Sequence, residues 1–289
     1  MRVHQVAPAV CLAAVVLSAC SPAVPAARPQ SQASRSPTAG HDHSHDGVSM
    51  LVGDGTRGNE VGYTLRHIQL PETPGQPGEV SFEIERYDGA PVTDYLPDHT
   101  KDLHLYVVRD DLAVFRHLHP TQAGDGTWSG TVTLPEPGVY RVVTEFVARD
   151  EAGSGDHVML GRSAVVGGDW THAPPDVGST NDDGVIEVQA GPGLRAGPDG
   201  RLDLVVTDAR GHPVVLGSYL GAQAHVVGIS ESDGSVVHLH PTGRGARGDG
   251  GTQLTFVTEL AQPGPYLFFV QVRVDDFLHT VPVRVEVPN

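Results

Sequence analysis

Six histidines of the chain share one spacing, His-x12-His-x-His-Pro, which occurs twice. The copies are 121 residues apart, since 225 minus 104 is 121. Neutral imidazoles without thiolate partners suit Zn(II), Cu(II) or Ni(II), so three brought together could bind a divalent transition metal. The copies consist of His104, His117 and His119, and of His225, His238 and His240.

Strand pairing predicts where these histidines point. Leu103–Arg109 is a run rich in Val and Leu that is followed by turn residues, which is typical of a strand. A tight turn at Asp110-Asp111 would place His104 directly opposite His117, with His119 two residues further along the same face. The second copy, with its predicted strand Ala224–Ser230, predicts the same arrangement, so each copy is expected to form one three-imidazole face.

The residues on the histidine face are apolar in both copies, including Tyr106 and Val108 in the first and Val227 and Ile229 in the second. We expect this face to be the core side of a sandwich, with the histidines at the edge of that core. Unpaired polar groups there cost roughly 1–3 kcal/mol each, and one metal ion would satisfy several together. The alternative is structural histidines that are hydrogen-bonded to carbonyls.

A fourth ligand is expected from the last strand of each copy. His279 alternates with Val281 and Val283, which places it on the apolar face. His157 is the matching candidate in the first copy. Four other histidines have no counterpart in the opposite half and are expected at the surface, namely His67, His99, His172 and His212.

The internal repeat extends well beyond the histidines and predicts two domains. Tyr95-Leu96 matches Tyr219-Leu220, and Pro137–Tyr140 matches Pro263–Tyr266 in the same order. Each copy carries roughly seven short strands and no window of helical period, which indicates an all-β fold. We expect two tandem immunoglobulin-like or cupredoxin-like β-sandwiches at 57–167 and 183–289, joined by a linker at 168–182.

The N-terminal residues predict export. Residues 1–19 have the shape of a lipoprotein signal peptide, and Leu17-Ser18-Ala19-Cys20 resembles a bacterial lipobox whose cysteine carries the lipid. An ordinary secretory signal is the alternative. Residues 20–56 are rich in Ser, Pro and Ala and predict a flexible tether. This tether contains an auxiliary tract that could gather metal loosely or be a polar spacer, formed by His41, His43 and His45.

Composition narrows the classes of partner. The formal net charge of −16 disfavours binding to nucleic acid phosphates. The two cysteines are Cys11, inside the predicted signal, and Cys20. Disulfides and thiolate metal ligands are therefore not expected in the domains. The expected partners are a metal ion, the membrane through the lipid on the outer face of the cytoplasmic membrane, and an unidentified envelope protein.

The second copy resembles a loosely defined group of bacterial, often actinobacterial, secreted or heavy-metal-binding lipoproteins. The resemblance is carried by Tyr219-Leu220-Gly221-Ala222 before His225, by His238-Leu239-His240-Pro241, and by Tyr266–Val274 before His279. It implies an Ig-like or cupredoxin-like sandwich in an envelope metal context. The first copy departs from it at Tyr95-Leu96-Pro97-Asp98.

Three functions remain open at this level. The first is a non-enzymatic lipoprotein that captures or buffers Cu(II) or Zn(II) through duplicated histidine sites. The second is a non-catalytic extracytoplasmic interaction module whose histidines are structural. The third is a zinc hydrolase or hydratase, since three histidines with an open position could activate water. The sequence offers no repeated acid placed as a general base, which ranks the third reading last.

Overall fold

The computed structural model describes residues 48–150 and 153–288, and all regular elements in this part of the chain are β-strands. They are β1 Asn59–Glu60, β2 Tyr63–Gln69, β3 Pro77–Arg86, β4 Tyr95–Leu96, β5 Leu103–Arg109, β6 Phe115–Leu118, β7 Thr121–Gln122, β8 Trp128–Thr133, β9 Gly138–Arg149, β10 Gly155–Val166, β11 Thr180–Asp182, β12 Ile186–Ala190, β13 Gly197–Asp208, β14 Ala224–Ser230, β15 Val236–Leu239, β16 Ala246–Gly248, β17 Gly251–Leu260, β18 Gly264–Val274 and β19 Phe277–Val287. Within these described ranges no helix is long and apolar enough to span a bilayer.

The strands form two sandwiches with the same antiparallel topology. In the first, the sheet β1-β2-β3-β8-β7 faces the sheet β10-β9-β5-β6, with β4 added on β9. In the second, β11-β12-β13-β17-β16 faces β15-β14-β18-β19. The predicted all-β fold with two repeated sandwiches is confirmed. The predicted strands Leu103–Arg109 and Ala224–Ser230 are found with the same bounds as β5 and β14.

Each sandwich has its own apolar core. Leu105 and Val107 of β5 lie in the first core, together with Phe82 and Phe146 from the facing and neighbouring strands. In the second sandwich the core includes Val226 of β14. Burying such side chains between two sheets stabilises each unit by the hydrophobic effect.

A third core lies between the two sandwiches. It contains residues from the opposite faces of the same strands, and the rings of Phe115 and Phe269 stack in it with centroids 4.2 Å apart. Its buried members are Tyr106, Val108, Phe115, Val143, Met159, Val227, Ile229, Val236, Leu267 and Phe269. β5 and β14 are consequently buried along their whole length on both faces.

The third core corrects the predicted position of the histidine face. That face does not line the interior of either sandwich, because Leu105 and Val107 occupy the interior and Tyr106 and Val108 point outward. Both faces of β5 carry apolar residues, so the sequence pattern alone did not distinguish them. The outward faces of the two sandwiches bury each other.

The predicted hairpin register is also wrong, by two residues. Tyr106, and not His104, pairs with His117, and Val227 pairs with His238. The first hairpin closes where the N–H of Arg109 donates to the Val114 carbonyl, so its turn has four residues, and Leu112 within it adopts a left-handed φ of 62°. Since side chains alternate with a period of two, a shift of two residues leaves every histidine on its predicted face.

Candidate metal centre

Equivalent strands place the histidines of the two copies against each other. His104 is the second residue of β5 and His225 the second of β14, while His117 and His238 are the third residues of β6 and β15. Their faces meet at the interface between the sandwiches. The six residues that gather there form the histidine cluster: His104, His117, His119, His225, His238 and His240.

The histidines of the two copies therefore lie together instead of in two separate places. One group of ring nitrogens within 4.8 Å of one another combines both sandwiches, namely His104, His117 and His225. A second such group lies within the second sandwich, namely His225, His238 and His240. His104 and His225 are both fully buried. The structure brings the predicted trio of the second sandwich together, whereas the other group contains His225 in place of His119, because the outward faces of both hairpins share one interface.

The contacts within the cluster follow an approximate twofold relation. His104 Nδ1 lies 3.1 Å from His117 Nε2, and His225 Nδ1 lies 3.1 Å from His238 Nε2. Each hairpin histidine also reaches across the interface. His117 Nδ1 donates to Gln271 Oε1 at 2.7 Å, and His238 Nδ1 donates to Glu145 Oε2 at 2.8 Å.

These hydrogen bonds determine the tautomers of the first pair. The amide oxygen of Gln271 only accepts, so His117 carries its proton on Nδ1 and has a lone pair on Nε2. His104 Nε2 faces the carbonyl oxygen of Asp98 at 3.2 Å and donates to it, which leaves a lone pair on Nδ1. His104 Nδ1 and His117 Nε2, which lie 3.1 Å apart, thus direct lone pairs at each other. Two nitrogens on one tetrahedral Zn(II) are about 3.3 Å apart, so this geometry matches a pair of metal ligands.

Three further ring nitrogens of the cluster have no polar partner. The Nε2 atoms of His119, His225 and His240 are buried and accept or donate no hydrogen bond within the described part of the chain. Leaving such a group unsatisfied costs about 1–3 kcal/mol. A cation with open coordination positions would bind lone pairs of this kind.

Burial keeps these imidazoles in the neutral form that binds metal. It lowers the pKa of His104 to about 3 and that of His119 to about 4, with the neighbouring imidazoles contributing in the same direction. Burial also lowers the pKa of His117, His225 and His240. Protons therefore compete weakly for the lone pairs at neutral pH.

Glu145 is a residue of the first sandwich that contacts the histidine cluster. It accepts hydrogen bonds from His238, from the Tyr106 hydroxyl at 3.0 Å and from His157 Nε2 at 3.1 Å. Burial alone would raise the pKa of this carboxyl, but the contacts with His238 and His157 outweigh burial and hold the pKa well below its usual range. Glu145 thus presents a negative charge behind His238.

The structure separates the two predicted fourth ligands. His157 pairs with Val147 and contacts Glu145 at the edge of the cluster, with its Nε2 also 3.9 Å from Asp98. His279 pairs with Val272 on the inner face of its sheet, and its Nδ1 donates to Asp183 at 2.6 Å, away from the cluster. The expectation that His279 joins the other histidines is wrong because they occupy the opposite face of that sheet.

Two residues that form hydrogen bonds with the cluster, Glu145 and Gln271, were not predicted from the sequence. Glu145 and Gln271 are the eighth residues of β9 and β18. A polar residue at the same place in two apolar strands was a signal that could have identified them. His99 was expected at the surface, but its ring stacks on His240. His67 and His212 are exposed as expected.

Several predicted features lie outside the described residues. These are the signal peptide with Cys20, most of the tether, and the auxiliary tract of His41, His43 and His45. The described chain begins at Val48, which forms an isolated parallel bridge with Gly155 near the start of β10. Ser49 Oγ accepts a hydrogen bond from the backbone N–H of His157. The tract thus precedes a segment that is attached beside His157.

A cavity of about 360 Å³ lies elsewhere on the interface between the sandwiches. Its lining includes Arg109, Arg141, Glu231 and Asp233, and none of the six clustered histidines contributes to it. The cluster and this cavity are therefore separate features of the same interface.

Comparisons with known proteins identify a repeated family. A family model described as a domain of unknown function (DUF8832) matches residues 59–159 and 179–289. No curated protein matches the chain.

Solved structures that are similar to the chain include three bacterial surface or adhesion proteins. A tetra-tandem repeat from a large adhesion protein is 12% identical with a TM-score of 0.24, over 78% of this chain and 49% of that one. Invasin, an integrin-binding protein, is 13% identical with a TM-score of 0.22, over 78% and 39%. The D0-D1 domain of intimin is 12% identical with a TM-score of 0.20, over 84% and 95%. This chain spans less than half the length of the first two, and such low TM-scores support no inference about function.

Proposed function

Since the chain belongs to the family described as a domain of unknown function (DUF8832), which it carries twice, we propose a function from its own residues. The protein binds a divalent transition metal, Cu(II) or Zn(II), in the histidine cluster between its sandwiches. It captures or buffers the ion and is not an enzyme.

The observation that carries the proposal is the set of unpartnered ring nitrogens in a buried imidazole cluster. His104 and His117 direct lone pairs at each other across 3.1 Å, and three more Nε2 atoms lack partners among the described residues. A bound proton would also join the first pair, but burial lowers the pKa of both rings. A metal ion satisfies several of these nitrogens at once.

The burial of the clustered histidines supports capture of a metal ion over catalytic turnover. His104 and His225 have no exposed surface, and the side chain of His238 is 3% exposed. Catalytic metal sites keep an open position for water or substrate, and substrates bind in clefts. An all-imidazole cluster whose central rings are buried is better suited to holding an ion.

We place the protein in the cell envelope on the basis of its N-terminal sequence. Residues 1–19 and Cys20 carry the pattern of a lipoprotein signal, which would anchor the protein at the outer face of the cytoplasmic membrane. The tract of His41, His43 and His45 would then gather ions outside the cytoplasm. In the chain it precedes the segment that begins at Val48 and is attached beside His157.

Metal titration tests this function. The purified protein is stripped with chelator, dialysed against Zn(II) or Cu(II), and its metal content is measured by mass spectrometry. We expect at least one tightly bound equivalent, lost when His238 and His240 are both replaced by Ala. His212→Ala is the matched control because its side chain is exposed and contacts Asp208 instead of the cluster. Less than one equivalent, or binding unchanged in the double variant, would refute the proposal.

A further inference from the structure

A second group of ligand-type side chains lies next to the histidine cluster, within the first sandwich. Asp98 precedes β5, Glu145 lies in β9 and His157 in β10. One ligand atom from each falls within 4.8 Å of the other two. We call these three residues the carboxylate cluster. His157 Nε2 is 3.1 Å from Glu145 Oε1 and 3.9 Å from Asp98 Oδ2.

Both carboxylates of this cluster are buried, and one oxygen is unsatisfied. Asp98 is 7% exposed and Glu145 is 2% exposed. Asp98 Oδ2 is buried and has no hydrogen-bond partner within the described ranges, and the nearby nitrogen of His157 lies beyond hydrogen-bond distance. Buried charges are ordinarily paired with another charge or coordinate a metal ion. An unpartnered carboxylate oxygen that faces a second carboxylate and an imidazole has the arrangement of a cation site.

The second sandwich shows that the fold does not require these groups. Asp98 and Tyr219 occupy equivalent positions, because each bonds its backbone N–H to the carbonyl three residues later across a turn with two positive φ values. Glu145 corresponds to Gln271. His157 corresponds to Leu278, since their partners Val147 and Arg273 are both the tenth residues of their strands. The second sandwich thus has the same topology but carries Tyr219, Gln271 and Leu278 at the three equivalent positions.

We propose that Asp98, Glu145 and His157 form a second divalent-cation site, separate from the histidine cluster. Two carboxylate oxygens and one imidazole are harder donors than an all-imidazole set, and they suit Mn(II) or Zn(II). The Oε1 atom of Glu145 faces this site, and the Oε2 atom of the same side chain faces His238. The site goes beyond the proposed function and does not depend on metal in the histidine cluster.

Mn(II) is the probe that separates the two sites, because all-imidazole sites bind it weakly. Binding is measured on the full exported chain from the loss of the free Mn(II) electron paramagnetic resonance signal. We expect one bound equivalent in the wild type and at least a tenfold loss of affinity in Asp98→Asn and in His157→Leu, the residue found at the equivalent place. His212→Ala, whose exposed side chain contacts Asp208 and neither cluster, should leave Mn(II) binding unchanged.

Two outcomes overturn the proposal. Mn(II) affinity that is the same in the wild type, Asp98→Asn and His157→Leu places the ion elsewhere. A loss in His212→Ala as large as in those variants would show that the loss is not specific to these three side chains. If a variant fails to fold, the site is tested instead by anomalous scattering from wild-type crystals soaked in Mn(II). A peak among the three side chains supports the site, and a peak elsewhere refutes it. Failure of Cu(II) or Zn(II) capture by the histidine cluster would leave this result unaffected.

Discussion

Glu145 and Gln271 allow the charge behind a proposed metal ligand to be changed while the shape of the side chain behind it is kept. The two side chains occupy equivalent positions and accept hydrogen bonds of almost equal length, 2.8 Å from His238 and 2.7 Å from His117. Glu145 is charged and also accepts hydrogen bonds from Tyr106 and His157, whereas Gln271 is neutral and donates to Thr280 Oγ1. Glu145→Gln copies into the first sandwich what the second already contains, and Gln271→Glu makes the reverse change.

The expected size of the effect follows from the hydrogen bond to the carboxylate. A carboxylate behind a histidine raises the basicity of the ring, and losing such a partner typically lowers metal affinity roughly 10- to 100-fold. That range corresponds to about 1.4–2.7 kcal/mol. We expect Glu145→Gln to weaken Zn(II) binding at His225, His238 and His240 by this factor. Gln271→Glu should strengthen binding at the group containing His117.

Competition with a chromophoric Zn(II) chelator measures these affinities. Glu79→Gln is the matched control, because Glu79 is exposed on β3 and the substitution removes the same charge. Glu145 also belongs to the carboxylate cluster, so the comparison is repeated in the His157→Leu background to isolate the histidine cluster. Equal affinities for the wild type and Glu145→Gln, or weaker binding by Gln271→Glu, would refute the reasoning.

Two further predictions concern the metal-free protein. Burial lowers the pKa of His104 to about 3 from 6.5, so between these values the unfolded chain binds a proton that the folded chain does not. His104 alone should therefore lower the free energy of unfolding by up to about 1.4 kcal/mol per pH unit as the pH drops below 6.5, and the other imidazoles with a lowered pKa add to this fall. Urea titrations that show no fall between pH 7 and pH 5 would contradict this. Phe269→Ala removes the ring that stacks on Phe115 across the interface, and it should cost about 3–5 kcal/mol in urea unfolding and expand the molecule in small-angle scattering. A cost below about 1 kcal/mol, or unchanged dimensions, would show that this interface does not hold the sandwiches together.

Local patterns were sufficient to predict the strands that carry the histidines. The bounds of β5 and β14 were predicted correctly because both are dense runs of Val, Ile, Leu and Tyr with turn residues after them. The shared face of His104, His117 and His119 was also predicted despite the wrong register. Strand alternation is local, and it survives a shift of two residues.

The alignment of the two copies was less accurate where loops differ. Matching Tyr95-Leu96 to Tyr219-Leu220 placed the wrong residues together, because the equivalent turn puts Asp98 at the position of Tyr219. Likewise His157 and His279 were matched, although their pairing partners differ by one residue and they face opposite sides. A single residue of difference in a hairpin reverses the face of a side chain, and sequence identity alone does not report it.

The sequence by itself determined that the chain is a duplicated all-β protein and that each copy presents three imidazoles on one face of a hairpin. The tertiary structure decided that these faces point away from the sandwich interiors and meet, so that six histidines, Glu145 and Gln271 share one interface. The physical reason is that alternation along a strand distinguishes two faces but does not say what covers each. In β5 and β14 both faces are apolar, and only the packing of one sandwich on the other decides which face holds the site.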